Sequence, residues 1–240
     1  MLVRYSFFAL AILACGCLQA GPCVPGTLFS YEALGATGCT VGTLTANNFA
    51  FSVLGSSGGA VAVTDNQITV TPTFGGRALG SLNSASSGYN VGVSQSIQYL
   101  IAYTLDPHDD IQSMDDIMDP PFATNGLANV TTLGCVGAAF VGSTCSTSTA
   151  SVMVFDNSGT TQFTSTTNIT PSQILGIRQT ITLQAGSGAG SGAGFDSFGS
   201  QASIPEPATW LSCAVALTLL TARLRRRSPK AGGIRFQSLS

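Results

Sequence analysis

The densest group of side chains able to do chemistry is a run of carboxylates in the middle of the chain. Six of the eleven acidic residues fall within fourteen positions: Asp106, Asp109, Asp110, Asp115, Asp116 and Asp119. Carboxylates this close repel one another unless a cation or water screens them, and calcium prefers such oxygen ligands. The run lacks the spacing of an EF-hand loop, so a solvent-facing acidic loop is the ordinary interpretation. The calcium alternative would use Asp106, Asp109 and Asp110.

A serine motif raises the question of hydrolysis. The segment Gly55-Ser56-Ser57-Gly58-Gly59 matches G-x-S-x-G, the turn that presents the nucleophile of α/β-hydrolases. That chemistry needs a helix after the serine and a histidine base. The residues after Ser57 are typical of a strand, and His108 is the only histidine in the chain. We therefore expect a turn here and a protein that is not an enzyme, with a secreted hydrolase as the least favoured alternative.

The cysteines indicate an oxidising compartment. Of seven cysteines, three lie in the apolar terminal segments, which leaves an even number in the body: Cys23, Cys39, Cys135 and Cys145. Proximity in sequence favours the pairs Cys23–Cys39 and Cys135–Cys145, although two other connectivities remain open. Because the chain has no CxxC pair and a single histidine, a zinc site is not expected.

The elements that would position these side chains are strands. Short runs of alternating apolar and polar residues, rich in β-branched types and separated by Gly, Asn, Ser or Pro, recur along the body. In the last run, Ile177, Gln179, Ile181 and Leu183 share one face. We predict an all-β fold, an antiparallel and jelly-roll-like β-sandwich over 21–184. One or two helical turns are expected over 109–118, and residues 185–203, rich in Gly, Ser and Ala, are expected to form a flexible linker.

Composition excludes several classes of protein. Only 8% of the 240 residues are charged, against about 25% in an average soluble domain. Nine Lys and Arg against eleven Asp and Glu provide no basic surface for nucleic acid. Between residues 21 and 205 the chain has ten acidic and two basic residues, so the body carries a net negative charge.

The two ends of the chain indicate export. Residues 1–20 combine Arg4 with a short apolar run and Ala20, as in a secretory signal peptide. Near the other end, the uncharged segment 208–222 is followed at once by the arginines Arg223, Arg225, Arg226 and Arg227. With Ile204 and a snorkelling Arg223, this segment approaches the ~20 residues of a transmembrane helix. The cytoplasmic preference of the arginines then places the body outside the membrane.

This tail also carries a family resemblance. Pro205-Glu206-Pro207, the apolar span and the arginine cluster, over 204–227, resemble the PEP-CTERM sorting tail of exported bacterial proteins. The resemblance implies recognition of Pro205, Glu206 and Pro207 by an exosortase, a membrane protease-transpeptidase, and a link to extracellular polysaccharide. Residues 228–240 follow the arginines as a cytoplasmic extension.

The sequence thus predicts an exported protein without enzymatic activity. Its expected partners are signal peptidase and the export machinery, the membrane, an exosortase and an extracellular polysaccharide. Nucleic acid is not expected as a partner. We expect a membrane-anchored precursor that reaches the cell surface or extracellular matrix, with a role in adhesion, biofilm or matrix structure. The alternative is a calcium-dependent carbohydrate-binding β-sandwich.

Overall fold

The computed structural model describes residues 20–75, 78–107 and 110–203, and this part of the chain forms two β-sheets packed on one hydrophobic core. Sheet A contains β1 (Gly21–Pro22), β3 (Cys39–Val41), β4 (Leu44–Ser57), β8 (Ser96–Pro107), β10 (Gly126–Val136), β11 (Ser148–Asn157), β12 (Thr160–Gln162) and β14 (Leu175–Ala185). Sheet B contains β2 (Gly26–Thr27), β5 (Thr69–Gly75), β6 (Ala78–Ala85), β7 (Asn90–Val91), β9 (Ile111–Thr124), β13 (Thr164–Ser172) and β15 (Gly192–Ser203). A short helix, α1 (Leu28–Glu32), and a 3-10 turn (Asp65–Gln67) complete the described elements.

The strand order in sheet A is β1-β3-β4-β8-β14-β10-β11-β12, and in sheet B it is β13-β9-β15-β6-β5-β2, with β7 also paired to β15. The described pairs are antiparallel apart from β1 with β3. The predicted all-β sandwich is therefore confirmed. Strand β14 lies between β8 and β10, and its Ile177, Gln179, Ile181 and Leu183 face the core as their alternation predicts.

The prediction of a flexible linker over 185–203 is wrong. Ala185 ends β14, and the chain turns and returns as β15 through the middle of sheet B. This strand pairs with β9 from Gly192 to Ser203 on one side and with β6 on the other. The segment has few large side chains, but as a central strand its backbone N–H and C=O groups are paired on both edges.

Small residues are needed in β15 because neighbouring groups approach its backbone closely. A Cβ on Gly194 would lie 2.5 Å from the carbonyl oxygen of Tyr89 and 2.8 Å from the Phe122 ring. Two aromatic residues supply the apolar burial, since Phe195 and Phe198 are at most 2% exposed and both contact Tyr89. The glycines therefore permit close packing, and the two phenylalanines anchor the strand in the core.

The helical prediction over 109–118 is also wrong, because Ile111 begins the fourteen-residue strand β9. The strand separates the acidic residues, so that Asp116 points into the core at 1% exposure while Asp115 is half-buried and Asp119 exposed. The two prolines of the strand, Pro120 and Pro121, lie beyond Ile117, where the pairing with β13 ends. On that edge of β9 no neighbouring strand requires a backbone N–H at these positions.

Both disulfides have the predicted pairing. Cys23–Cys39 ties the segment before α1 to β3, and Cys135–Cys145 ties β10 to the loop that follows it. Each bridge closes a short loop, with sequence separations of 16 and 10 residues. In the entropic account of disulfide stabilisation, a bridge across a loop of this size restricts the unfolded chain and so stabilises the fold by about 2–3 kcal/mol.

The predicted signal peptide, apart from Ala20, lies outside the described residues. The same is true of the sorting motif, the apolar span and arginine cluster within 204–227, and the extension 228–240. Among the helices of the described ranges, none has the length and apolar character required to span a membrane.

The position of β15 gives a test at one side chain. We expect Phe198→Ala to lower the free energy of unfolding by about 3–5 kcal/mol, because it removes a fully buried ring from the centre of sheet B. Asp196→Ala, on the same strand but exposed, is the matched control and should change stability by less than about 0.5 kcal/mol. Denaturant unfolding measures both variants. Equal stability of the two variants would contradict a central β15 and would favour a flexible linker over 185–203.

Candidate functional site: an amide-lined cleft

The residues singled out for catalysis or calcium do not converge in the described ranges. Ser57 is exposed at the end of β4, where its hydroxyl lies 2.8 Å from that of Ser96, and no helix follows it. His108 and Asp109 lie outside the described residues. Asp106, at the end of β8, and Asp110, before β9, are exposed. Within 20–75, 78–107 and 110–203, no three His, Cys, Asp or Glu side chains are grouped as a metal site requires.

A cleft of about 410 Å³ opens instead at one end of sheet A. Three chain segments line it: the start of β10 with the residue before it (125–127), the turn between β11 and β12 (157–158), and the end of β14 with the residue after it (184–186). Its volume lies within the ~300–1,000 Å³ typical of small-molecule pockets.

Backbone contacts hold the three segments together. The Ser158 hydroxyl accepts a hydrogen bond from the Gly126 N–H at 2.6 Å and donates one to the Gly126 carbonyl at 3.0 Å. The Gly186 N–H donates to the Asn125 carbonyl at 2.6 Å. Asn125 and Ser158 have positive φ angles of 48° and 41°, which turn the chain sharply at both points. The walls of the cleft are therefore fixed by hydrogen bonds of the main chain and of the Ser158 hydroxyl.

Three of the side chains that line this cleft are carboxamides. Asn125, Asn157 and Gln184 are exposed, and their amide groups make no hydrogen bond within the described part of the protein. Each carboxamide has an acceptor oxygen and two N–H donors. Three such groups around one cleft can pair with a ligand whose own groups both donate and accept, as hydroxyl groups do.

The cleft is electrically neutral, since no lining residue among those described is charged. The surrounding body has ten acidic and two basic residues in its sequence, so it repels anions. The chemistry of this site therefore suits a neutral polyhydroxyl ligand and disfavours a phosphate or an acidic sugar.

An exposed aromatic residue comes three positions before the cleft residue Asn125 in the sequence. Phe122, near the end of β9, is 50% exposed, and its ring packs against Gly192 and Gly194 of β15. The Gly192 carbonyl oxygen in turn lies 3.1 Å from where a Cβ on Gly126 would be. The ring does not line the cleft itself, but it is an exposed apolar surface close to it along the chain, and ligand sites commonly combine such surfaces with polar groups.

A second set of polar residues is enclosed between the two sheets. Two cross-strand pairs face each other there, Asp116 with Ser200 in sheet B and Thr132 with Gln179 in sheet A. All four side chains are between 1% and 8% exposed. The Gln179 Nε2 donates to the Ser200 Oγ at 2.5 Å, and the Ser200 hydroxyl donates to the Asp116 Oδ1. We call these four residues the core polar cluster.

Burial raises the pKa of Asp116 to about 6, because the charged carboxylate is removed from water. The hydroxyl groups of Ser200 and Thr132 oppose this shift, and the nearby charge of Asp115 adds to it. Neither the Asp116 Oδ2 nor the Thr132 Oγ1 makes a hydrogen bond of normal geometry. The carboxyl group thus sits in the core without a cationic partner among the described residues.

Sequence reasoning found part of both sites. The composition of Asp156-Asn157-Ser158-Gly159 is typical of a turn, and Gln179 was expected on the same face of its strand as Ile177, Ile181 and Leu183. Asn125, Gln184, Phe122 and Ser200 were missed, because exposed amides and a serine in a Gly-rich segment have no distinctive pattern. The register between strands is what brings them together.

No family model and no curated protein matches the chain. Among solved structures, the chain is similar to TmCBM61 in complex with beta-1,4-galactotriose, over 63% of this chain and 86% of that one, with 10% identity and a TM-score of 0.31. A TM-score this low shows neither a common fold nor a common ligand.

The close packing around the cleft can be tested with two glycines of one turn. A Cβ on Gly186 would lie 2.5 Å from the Asn125 carbonyl oxygen, whereas a Cβ on Gly188 would meet nothing nearer than 3.6 Å. We expect Gly186→Ala to lower the free energy of unfolding by about 1–3 kcal/mol. Gly188→Ala should have little effect. Thermal and denaturant unfolding of the two variants measure the difference, and equal values would mean that the cleft walls are loosely packed.

Proposed function

We propose that this is an exported, non-enzymatic protein of the cell surface or extracellular matrix whose β-sandwich binds a neutral polysaccharide in the amide-lined cleft. The observation that carries the proposal is the set of three exposed carboxamides, of Asn125, Asn157 and Gln184, with no hydrogen-bond partner in the described protein. A sugar hydroxyl can both donate a hydrogen bond to a carboxamide and accept one from it. The neutral lining gives no preference for a charged ligand.

The rest of the molecule supports the same use. The walls of the cleft are held by hydrogen bonds of the main chain and of the Ser158 hydroxyl, so the backbone needs little further ordering on binding. Phe122 offers a ring on which the apolar face of a sugar can stack. Two disulfides are consistent with an oxidising compartment, as export requires.

The sorting part of the proposal comes from the tail. Pro205-Glu206-Pro207, the apolar span and the arginines Arg223, Arg225, Arg226 and Arg227 would direct the chain to the membrane, where an exosortase would cut near the motif. Because β15 ends at Ser203, a single residue, Ile204, separates the motif from the last strand in the sequence.

Binding is tested on the full chain, produced with export so that both disulfides form. We expect a glycan array to show binding to neutral oligosaccharides and none to anionic ones. For the best neutral oligosaccharide, Asn157→Ala, Gln184→Ala and Phe122→Ala should each weaken the Kd at least about tenfold in calorimetric titration. Asn66→Ala, which removes an exposed amide on the 3-10 turn outside the cleft, is the matched control.

Two further measurements separate the alternatives. Since the cleft lining has no carboxylate, binding should persist in EDTA, whereas a calcium-dependent site at Asp106, Asp109 and Asp110 would lose it. Absence of binding to every glycan of the array would refute the carbohydrate proposal and leave a structural role in the matrix.

Sorting is tested by the chain termini. We expect mass spectrometry of the protein recovered from its native cells to place the N-terminus near residue 21 and the C-terminus near Pro205-Glu206-Pro207. Substitution of Glu206 by Ala should leave the tail uncut and the protein in the membrane fraction. A mature chain that still ends at Ser240 would contradict processing by an exosortase.

A further inference from the structure

The core polar cluster contains the groups needed for acyl transfer. Ser200 supplies a hydroxyl, Asp116 a carboxyl that accepts its hydrogen bond, and Gln179 a carboxamide as the electrophile. The Gln179 Nε2 lies 2.5 Å from the Ser200 Oγ. Since Nε2 is bonded to Cδ, the carbonyl carbon lies at most about 3.8 Å from the hydroxyl oxygen. The hydrogen bond holds that oxygen in the plane of the amide, so attack requires the carboxamide to rotate until the face of Cδ meets it.

We propose that Ser200 attacks the side-chain amide of Gln179, with Asp116 as general base, and forms an ester that joins the two sheets covalently. The Ser200 Oγ–Gln179 Cδ bond forms, and the Cδ–Nε2 bond breaks. The hydroxyl proton passes to Asp116 and from there to Nε2, which leaves as ammonia. Asp116 is regenerated, and no oxidant or cofactor is consumed.

The environment favours this step. Asp116, Gln179 and Ser200 are 1%, 2% and 8% exposed, so water has little access and hydrolysis of the ester is slow. The carboxyl group is also better suited to catalysis than a surface aspartate, since burial raises its pKa to about 6 and makes it a stronger base. Ammonia escapes to solvent and is protonated there, which makes the reverse reaction negligible.

A neutral hydroxyl group lies at the same place. Tyr103 of β8 lines the same small internal cavity as Gln179, and its hydroxyl interacts with that of Ser200. Burial and the charge of Asp116 raise the pKa of Tyr103, so its hydroxyl stays protonated. In the proposed step its proton would stabilise negative charge on the Gln179 oxygen. This inference is independent of the proposed carbohydrate binding.

Mass spectrometry tests the cross-link on the full chain, produced with export. We expect the intact mass to be about 17 Da, one ammonia, below the value calculated from the mapped termini and two disulfides. Chymotrypsin cuts after Leu183 and Phe198 and separates Gln179 from Ser200. The two peptides should remain joined, and hydroxylamine, which cleaves esters, should release them.

Matched variants assign the atoms. Ser200→Ala and the nearly isosteric Asp116→Asn should both restore the missing mass, whereas Ser197→Ala, on the same strand and half-buried, should retain the deficit. Tyr103→Phe should slow formation without preventing it. A wild-type chain of full mass with no joined peptides overturns the proposal. A mass deficit that persists in Ser200→Ala or in Asp116→Asn also overturns the proposal. Circular dichroism checks that each variant is folded.

The base can be tested by its pH dependence. The groups that face Asp116 from the neighbouring strands, Thr132, Gln179 and Ser200, are uncharged, and Tyr103 stays neutral because burial raises its pKa. Asp115 is the neighbouring charge on its own strand. We expect chain refolded from inclusion bodies to form the ester about tenfold more slowly at about pH 5 than at about pH 7.5, since only the ionised carboxylate accepts the proton. Equal rates would exclude Asp116 as the base.

Discussion

The described fold depends on one strand being held in the middle of sheet B. β15 hydrogen-bonds β9 along one edge and β6 and β7 along the other, so without it the sheet would divide into β13-β9 and β6-β5-β2. Two unpaired edges would then be open to water or to other chains. The strand achieves this with a segment of low apolar content, because its backbone bonds are satisfied on both sides and its glycines let neighbouring groups come close. Phe195 and Phe198 supply the apolar surface that fixes it in the core.

This constraint explains which parts of the fold could be predicted from the sequence. The alternation in β14 identified its buried face, and proximity gave both disulfides. β15 was missed because composition reports what a segment can bury by itself, and the stability of a central strand comes from its two neighbours. β9 was mistaken for a helix because Ile111, Met114 and Met118 are three and four residues apart, a spacing that puts the side chains on one face of a helix. All three side chains are buried in the strand.

The amide-lined cleft and the core polar cluster differ in how much of each could be predicted from the sequence. The cleft is assembled from segments near residues 125, 157 and 184, and only the turn at the second has a recognisable composition. The core polar cluster is set by the registers Asp116 with Ser200 and Thr132 with Gln179. Asp116 belongs to a run of carboxylates that composition assigns to solvent, yet its strand turns this one side chain inward. A pairing shifted by one residue would have placed Asp115 in the core instead.

The order of folding connects the strand to the cluster. Asp116, Gln179 and Ser200 come from β9, β14 and β15, and Ser200 follows Asp116 by more than eighty residues along the chain. Contacts of such separation form late, because the loop between them must close first. Attack on Gln179 therefore requires β15 to be already inserted beside β9, with water excluded from the core. An ester made at that point would lock only the completed sandwich, and it would not trap an intermediate in which the edge of β9 is still unpaired.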